Sequence, residues 1–185
     1  EISLGLVGSE MCIRDRPYLN EHPYFGAIVG RYANRIRNSQ FKIKGINYKL
    51  TRNEGKNILH GGKKGFDSKI WSVENSSKSH ITYYYTSPDK EEGFPGELCS
   101  SCRYSIKNSV LSINLRAKTT KSTHVNLVNH AYWNLDKIKK DVFDHYVQIN
   151  ANHYLENDNE NSWDKKIIHW TGYKGKERIK ELMNA

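Results

Sequence analysis

Alternation of apolar and polar residues is the feature that most restricts what this chain of 185 residues can fold into. The clearest case is residues 109–119, SVLSINLRAKT. Its apolar residues fall on one side of an extended strand: Leu111, Ile113, Leu115 and Ala117. A period of two residues is typical of a β-strand with one buried face, whereas an amphipathic helix repeats at about 3.6 residues. We therefore predict a sheet-forming strand here.

Other segments rich in β-forming residues lie on both sides of this strand. A hairpin is predicted at 41–50, FKIKGINYKL, with Gly45 in its turn. Further strands are predicted at 80–87 (HITYYYTS), 98–108 (LCSSCRYSIKN) and 145–154 (HYVQINANHY). Gly- and Pro-containing turns such as SPDKEEGFPGE separate them. Many short strands with few helices indicate an all-β sandwich or barrel.

Only the end of the chain has a helical pattern. In GKERIKELMNA, residues 175–185, the apolar residues Ile179, Leu182 and Met183 recur at helical spacing. The expectation is a short C-terminal helix after the β domain. No repeat or linker divides the chain into two domains.

Charge and cysteine content narrow the function classes. The net charge is +9, but the lysines are spread in pairs, which favours a solvated surface over a nucleic-acid interface. Cys99 and Cys102 are three positions apart in a predicted strand, so their side chains point to opposite faces. With Cys12 they form neither a disulfide framework nor a four-ligand zinc site. No apolar run approaches the roughly 18 residues of a membrane span. We expect reduced thiols and a cytoplasmic location, with neither nucleic acid nor membrane as partner.

Chemically distinctive clusters occur at several points along the chain. Asn34 and Arg35 lie in GRYANRI, His60 in NILHGG, and His130 in NLVNHAYWNL. Each of these residues could also serve the fold alone, without a role in function. Arg35 suits the surface beside a turn, His60 suits an ordinary loop, and His130 suits a buried position with both ring nitrogens hydrogen-bonded.

Five motifs, taken in order, resemble the aldose 1-epimerase (galactose mutarotase) family over roughly residues 17–154. They are GRYANRI, NILHGG, GFD–IW, SPDKEEGFPG and NLVNHAYWNL. The resemblance implies a galactose mutarotase-like antiparallel β-sandwich. It also implies interconversion of the α and β anomers of free hexoses such as galactose or glucose. The substrate would be a small sugar, and no metal or organic cofactor would be required.

The resemblance also assigns roles to individual residues. The histidine of the family's N-H-x-[YF]-[WF]-N-L motif is the general acid and corresponds to His130. The histidine of the HGG motif assists at the sugar and corresponds to His60. Asn34 and Arg35 would bind sugar hydroxyls, and Tyr132 would line the pocket. Histidine suits the acid role because its ordinary pKa of about 6.5 lets it donate a proton at neutral pH.

The chain also departs from the family pattern. The family's general base is a glutamate in a later motif with proline and asparagine, and neither Glu177 nor Glu181 stands in such a motif. The expectation is an incomplete sandwich, inactive alone. Residues 1–16 resemble an adapter-derived, non-native leader, which leaves 17–185 as a partial epimerase domain. Residues 158–175 lack the expected Ile-Pro-Thr-Gly turn.

Other functions are compatible with part of the pattern. A non-catalytic carbohydrate-binding β-sandwich would keep Asn34, Arg35 and His60 without a general base. An epimerase of hexose 6-phosphates would need an added basic cluster near the pocket. Nucleic-acid binding rests on net charge alone.

Overall fold

The computed structural model describes residues 24–135, 137, 142–147, 153–157, 163–169 and 177–178. Its strands, in chain order, are Ile28–Val29 (β1), Arg35–Ile36 (β2), Gln40–Ile43 (β3), Ile46–Lys49 (β4), Ile58–Leu59 (β5), Ser72–Ser76 (β6), His80–Ser87 (β7), Leu98–Lys107 (β8), Val110–Thr119 (β9), Val128–Asn129 (β10), Tyr146–Val147 (β11), His153–Asn157 (β12), Trp163–His169 (β13) and Glu177–Arg178 (β14). Short 3₁₀ turns occupy Arg37–Ser39, Phe66–Ser68 and Glu91–Gly93. The described part of the chain holds no helix long and apolar enough to cross a membrane. The predicted all-β class is confirmed.

An antiparallel meander of four strands, in the order β6–β7–β8–β9, forms the largest sheet. The predicted strands at 80–87, 98–108 and 109–119 are β7, β8 and β9. Asn108 and Ser109 join β8 to β9 with φ angles of 49° and 63°, the left-handed conformation of a two-residue hairpin turn. In the predicted hairpin, β3 pairs with β4 and the same kind of turn falls at Lys44–Gly45.

The faces of the large sheet differ as the alternation predicts. On β8, Leu98, Ser100 and Cys102 are buried, whereas Cys99 between them is half-buried. Cys99 and Cys102 therefore lie on opposite faces, as their spacing requires. The two cysteines cannot share a metal ion within this strand.

Two short pairings connect distant parts of the chain. Strand β1 pairs with β10, with Ile28 opposite Asn129, and β2 pairs with β5, with Arg35 opposite Leu59. A core of Leu50, Ile58 and Phe94 packs beside the second pairing. These contacts bring the segments around residues 34, 60 and 130 together.

Two predictions near the C-terminus need correction. The segment 145–154 is not one strand: β11 ends at Val147 and β12 begins at His153. The C-terminal helix is wrong at Glu177–Arg178, which pair as β14 with β11. Backbone pairing with a distant strand here overrides a local helical pattern. The rest of the predicted helix and the leader at 1–16 lie outside the described residues.

Candidate active site

His60 and Asn34 are joined by two hydrogen bonds beside the pairing of β5 with β2. The backbone N–H of Asn34 donates to Nδ1 of His60 at 3.1 Å, and the backbone N–H of His60 donates to the carbonyl of Asn34 at 3.2 Å. Both residues have positive φ angles, 68° for Asn34 and 51° for His60. Because Nδ1 is an acceptor, the neutral ring carries its proton on Nε2. His60 therefore has a fixed tautomer with Nε2–H as a donor.

His130 lies beside His60, although it comes much later in the chain. It follows β10, and its backbone N–H donates to the carbonyl of Ala27 at 2.8 Å. Its carbonyl accepts from the N–H of Gly26 at 3.1 Å. The imidazoles of His60 and His130 then lie 5.0 Å apart between centroids, with ring planes at 88°. Histidines 70 positions apart thus form one perpendicular pair.

Tyrosines border this pair. Tyr24 lies 4.6 Å from His60 and 5.8 Å from His130, between ring centroids. Burial raises the pKa of Tyr24, and the negative charges of Asp67 and Glu54 raise it further. Its phenol therefore stays protonated at neutral pH. Tyr132 lies 5.2 Å from His130 and is 59% exposed. Tyr132 thus lies at the exposed side of the pair.

Arg35 is held in an ion pair. Its Nε and Nη2 donate to the two carboxylate oxygens of Glu54, each at 2.5 Å. This bidentate geometry uses two of the five N–H groups of the guanidinium. Asn34 Oδ1 accepts from the backbone N–H of Arg35 at 2.8 Å. The predicted sugar-binding residues thus lie beside His60 and are fixed by protein contacts of their own.

The two glycines after His60 allow close packing that a side chain would prevent. A Cβ on Gly61, whose φ is +92°, would lie 1.7 Å from the carbonyl oxygen of Gly30. Beyond Gly62, the Glu92 carboxylate accepts hydrogen bonds from the backbone N–H groups of Lys63 and Lys64 at 3.2 and 3.0 Å. The HGG loop is therefore clamped between the GRYANRI segment and the loop that carries Glu92.

The surroundings of His60 disfavour its charged form. Burial, followed by the charges of His130 and Arg35, lowers the pKa of His60 from 6.5 to about 4, and the charge of Glu54 opposes this only in part. His60 is therefore neutral at pH 7 and donates through Nε2. A neutral donor beside a second imidazole can hold a hydroxyl while the other ring transfers a proton. No group of three or more His, Cys, Asp or Glu side chains within the described residues could hold a metal ion.

Comparison with known proteins shows the family of the chain. The aldose 1-epimerase family model matches residues 10–178. The chain belongs to the aldose 1-epimerase family. A galactose mutarotase from Sus scrofa is 45% identical over 141 residues, which cover 76% of this chain and 41% of that protein. The aldose 1-epimerase of Escherichia coli K12 is 38% identical over 145 residues, 78% of this chain and 42% of that protein.

Solved structures of aldose epimerases share the fold. A galactose 1-epimerase from Lactobacillus acidophilus superposes with a TM-score of 0.79 at 30% identity, over 92% of this chain and 52% of that one. An aldose epimerase homologue from C. elegans gives the same TM-score at 28% identity, over 87% of this chain and 51% of that one. The predicted mutarotase-like β-sandwich is confirmed. The chain spans about two fifths of the length of the curated relatives that it matches.

Some residues of the candidate site had no sequence signal. Glu54, which pairs with Arg35, lies in TRNEG, a stretch that reads as a turn. Tyr24 lies in HPYFG, which carries no motif that marks the tyrosine. Both reach the site through the β2–β5 and β1–β10 pairings. A periodic pattern cannot reveal strands of two residues.

The low pKa of His60 predicts a pH-dependent stability. The unfolded histidine binds a proton below about pH 6.5, whereas the folded one stays neutral to about pH 4. The stability associated with neutral His60 is therefore fully present above pH 6.5 and is lost as pH falls towards 4. Since the ring is half-buried and water screens it, we expect a loss of about 1 kcal/mol between pH 7 and pH 5.

His60→Asn is the matched variant, because its amide oxygen can replace Nδ1 as acceptor without titrating. Urea unfolding at pH 7 and pH 5 should show a smaller fall in the unfolding free energy for His60→Asn than for the wild type. Parallel pH curves for the two proteins would show that His60 is not the titrating group.

Proposed function

We propose that the protein carrying this chain interconverts the α and β anomers of a free hexose by acid–base ring opening. The observation that carries the proposal is the perpendicular pair of His60 and His130, 5.0 Å apart, with the His60 tautomer fixed by Asn34. The named activities of the relatives from Sus scrofa and Escherichia coli support it.

Ring opening requires one proton to be given and another removed. In the proposed step a base takes the proton of the C1 hydroxyl, and the C1–O5 bond breaks as the C1 carbonyl forms. The bonding electrons move to the ring oxygen O5, which receives the proton of His130. Rotation about C1–C2 then presents the other face of the aldehyde. In the reverse step the O5 hydroxyl adds to C1 and returns its proton to His130, while the base gives its proton back to the C1 oxygen, which closes the ring as the other anomer.

The other site residues bind and orient the sugar. Neutral His60 donates from Nε2 to a sugar oxygen, and its low pKa keeps a positive charge off this ring beside the proton donor His130. Asn34 and Arg35 lie beside it as hydroxyl-binding groups, and Tyr132 lines the open side. Tyr24 and the two imidazoles are half-buried, and this partial shielding from water strengthens their hydrogen bonds.

We further propose that the chain as it stands has little or no activity. The family motif for the general base is not found within residues 1–185, and an acid without its base leaves the C1 hydroxyl protonated. The protein with the base motif restored should be active.

Polarimetry of freshly dissolved α-D-galactose or α-D-glucose tests the proposal. The protein with the base motif restored should bring the rotation to equilibrium faster than buffer, and the 185-residue chain should not. Saturable sugar binding by the longer protein with a buffer-like rate would instead support a non-catalytic carbohydrate-binding sandwich. Neither acceleration nor binding would refute both.

A further inference from the structure

The large sheet has a polar face directed away from the histidine pair. One row of side chains crosses all four strands on this face: Asn75, Thr82, Arg103 and Asn114 are successive cross-strand partners. The next residue of β8, Tyr104, points the opposite way, and its hydroxyl accepts a hydrogen bond from Asn129, the neighbour of His130. The polar face and the candidate active site are therefore on opposite sides of the sheet.

A cavity of about 430 Å³ lies on this polar face, and only polar side chains line it. Thr82 is 5% exposed and forms its floor with Ser101, which is half-buried. The longer side chains of Arg103 and Arg116 are exposed and rise around it. Short hydroxyl residues on the central strands thus leave space that a sheet face with long side chains would fill. The volume lies within the range of small-molecule sites.

The two arginines face this space together. Arg103 is opposite Asn114 on β9, and Arg116 is two residues further along the same face, so the guanidinium groups belong to diagonal neighbours. Arg116 Nε donates to Oδ1 of Asn114 at 3.0 Å, and this hydrogen bond orients the planar guanidinium group of Arg116. Glu74 is the carboxylate among the lining residues and lies on the outer strand β6. Two neighbouring positive charges repel each other unless an anion binds between them.

We propose that this polar face, defined by Thr82, Ser101, Arg103, Asn114 and Arg116, binds a small anionic sugar: a hexose-sized polyol carrying a carboxylate or a phosphate. Arginine forks match both anions in a bidentate manner. The hydroxyl and amide groups of Thr82, Ser101 and Asn114 can each donate and accept, which suits sugar hydroxyls. An apolar ligand is disfavoured because no apolar side chain lines the cavity.

Calorimetric titration of the full chain tests this site. We expect D-glucuronate or glucose 6-phosphate to bind saturably with a Kd of about 1 mM or tighter. Neutral glucose and inorganic phosphate should bind the polar face at least tenfold more weakly. Glucose lacks the anionic group, and phosphate lacks the sugar hydroxyls. The glucuronate and glucose 6-phosphate titrations distinguish a carboxylate from a phosphate as the preferred anion.

Single variants locate the binding. Arg103→Gln and Arg116→Gln should each weaken it tenfold or more, because each removes a charge-assisted contact. Arg52→Gln, which removes an exposed arginine that does not line the cavity, should change affinity less than twofold. His130→Gln should have no effect, so a failure of the proposed epimerase would leave this test intact. Circular dichroism checks that the variants keep the fold.

Three results would each overturn the proposal. The first is no saturable binding of either anionic sugar up to about 10 mM. The second is binding that survives in the double variant Arg103→Gln/Arg116→Gln. The third is glucose binding that is as tight as glucuronate binding and is lost in the same double variant, which would indicate a neutral-sugar site on this face.

Discussion

Replacing His130 with glutamine is expected to lower the turnover of mutarotation by about 10²-fold or more in the protein with its base motif restored, the usual scale for a positioned general acid. Glutamine keeps a polar side chain of similar length but has no proton to transfer at neutral pH. The backbone contacts of His130 with Ala27 and Gly26 do not depend on its side chain. The loss should therefore fall on kcat, with sugar affinity changed only a few fold.

His124→Gln is the matched control. His124 precedes His130 by six positions, and its ring packs against Phe41 at 4.8 Å rather than against His60. Its replacement should leave polarimetric rates within about twofold, since it takes no part in proton transfer. Turnover of His130→Gln close to that of the wild type would remove His130 from the acid role.

Local pattern and long-range pairing account for what the sequence could and could not predict. Strand β9 was predictable from apolar–polar alternation over ten residues, and β7 from its high content of β-forming residues. Strand β1 and its partner β10 have two residues each and exist because they pair across about 100 positions. His130 could be singled out from its motif, whereas its contact with His60 depends on that pairing.

Arg35 was likewise predictable as a residue of the site, whereas its contact with Glu54 was not. The GRYANRI motif predicts an arginine that binds sugar hydroxyls, but nothing in the motif indicates that Glu54, 19 positions later, would hold it in a bidentate pair. At the C-terminus, the spacing of Ile179, Leu182 and Met183 indicates a helix. Pairing with Tyr146–Val147 instead places Glu177–Arg178, two residues of that predicted helix, in a strand.

Replacing Arg31 with methionine is expected to lower the free energy of unfolding by about 3–5 kcal/mol, the scale for removing one partner from a buried charged network. Arg31 is 2% exposed, and its guanidinium donates to the Ser87 hydroxyl and to the carbonyls of Ser87, Pro88, Pro95 and Gly96. Burial lowers the pKa of Arg31, while the charges of Glu91 and Asp89 oppose that shift. Methionine would fill the volume but could donate to none of these acceptors, of which the Pro88 carbonyl would keep the N–H of Glu91 as a donor.

Urea unfolding measures this change against two controls. Arg31→Lys keeps the charge but has three donors on one nitrogen, so an intermediate loss is expected. Arg52→Met alters an exposed arginine and should change stability by less than about 0.5 kcal/mol. A loss below about 1 kcal/mol for Arg31→Met would show that water or a rearranged loop satisfies the acceptors.

The Arg31 network also has consequences for the candidate active site. The loop it holds, residues 87–96, carries Glu92, whose carboxylate accepts from the N–H groups of Lys63 and Lys64 beyond His60. Loosening this loop should free those donors, so amide exchange at 63 and 64 should accelerate in Arg31→Met more than in Arg52→Met. Glu92→Ala should reproduce the faster exchange at these two amides, because it removes the acceptor without touching Arg31. Unchanged exchange in Arg31→Met, despite lost stability, would show that the arginine supports the fold but not the position of the His60 loop.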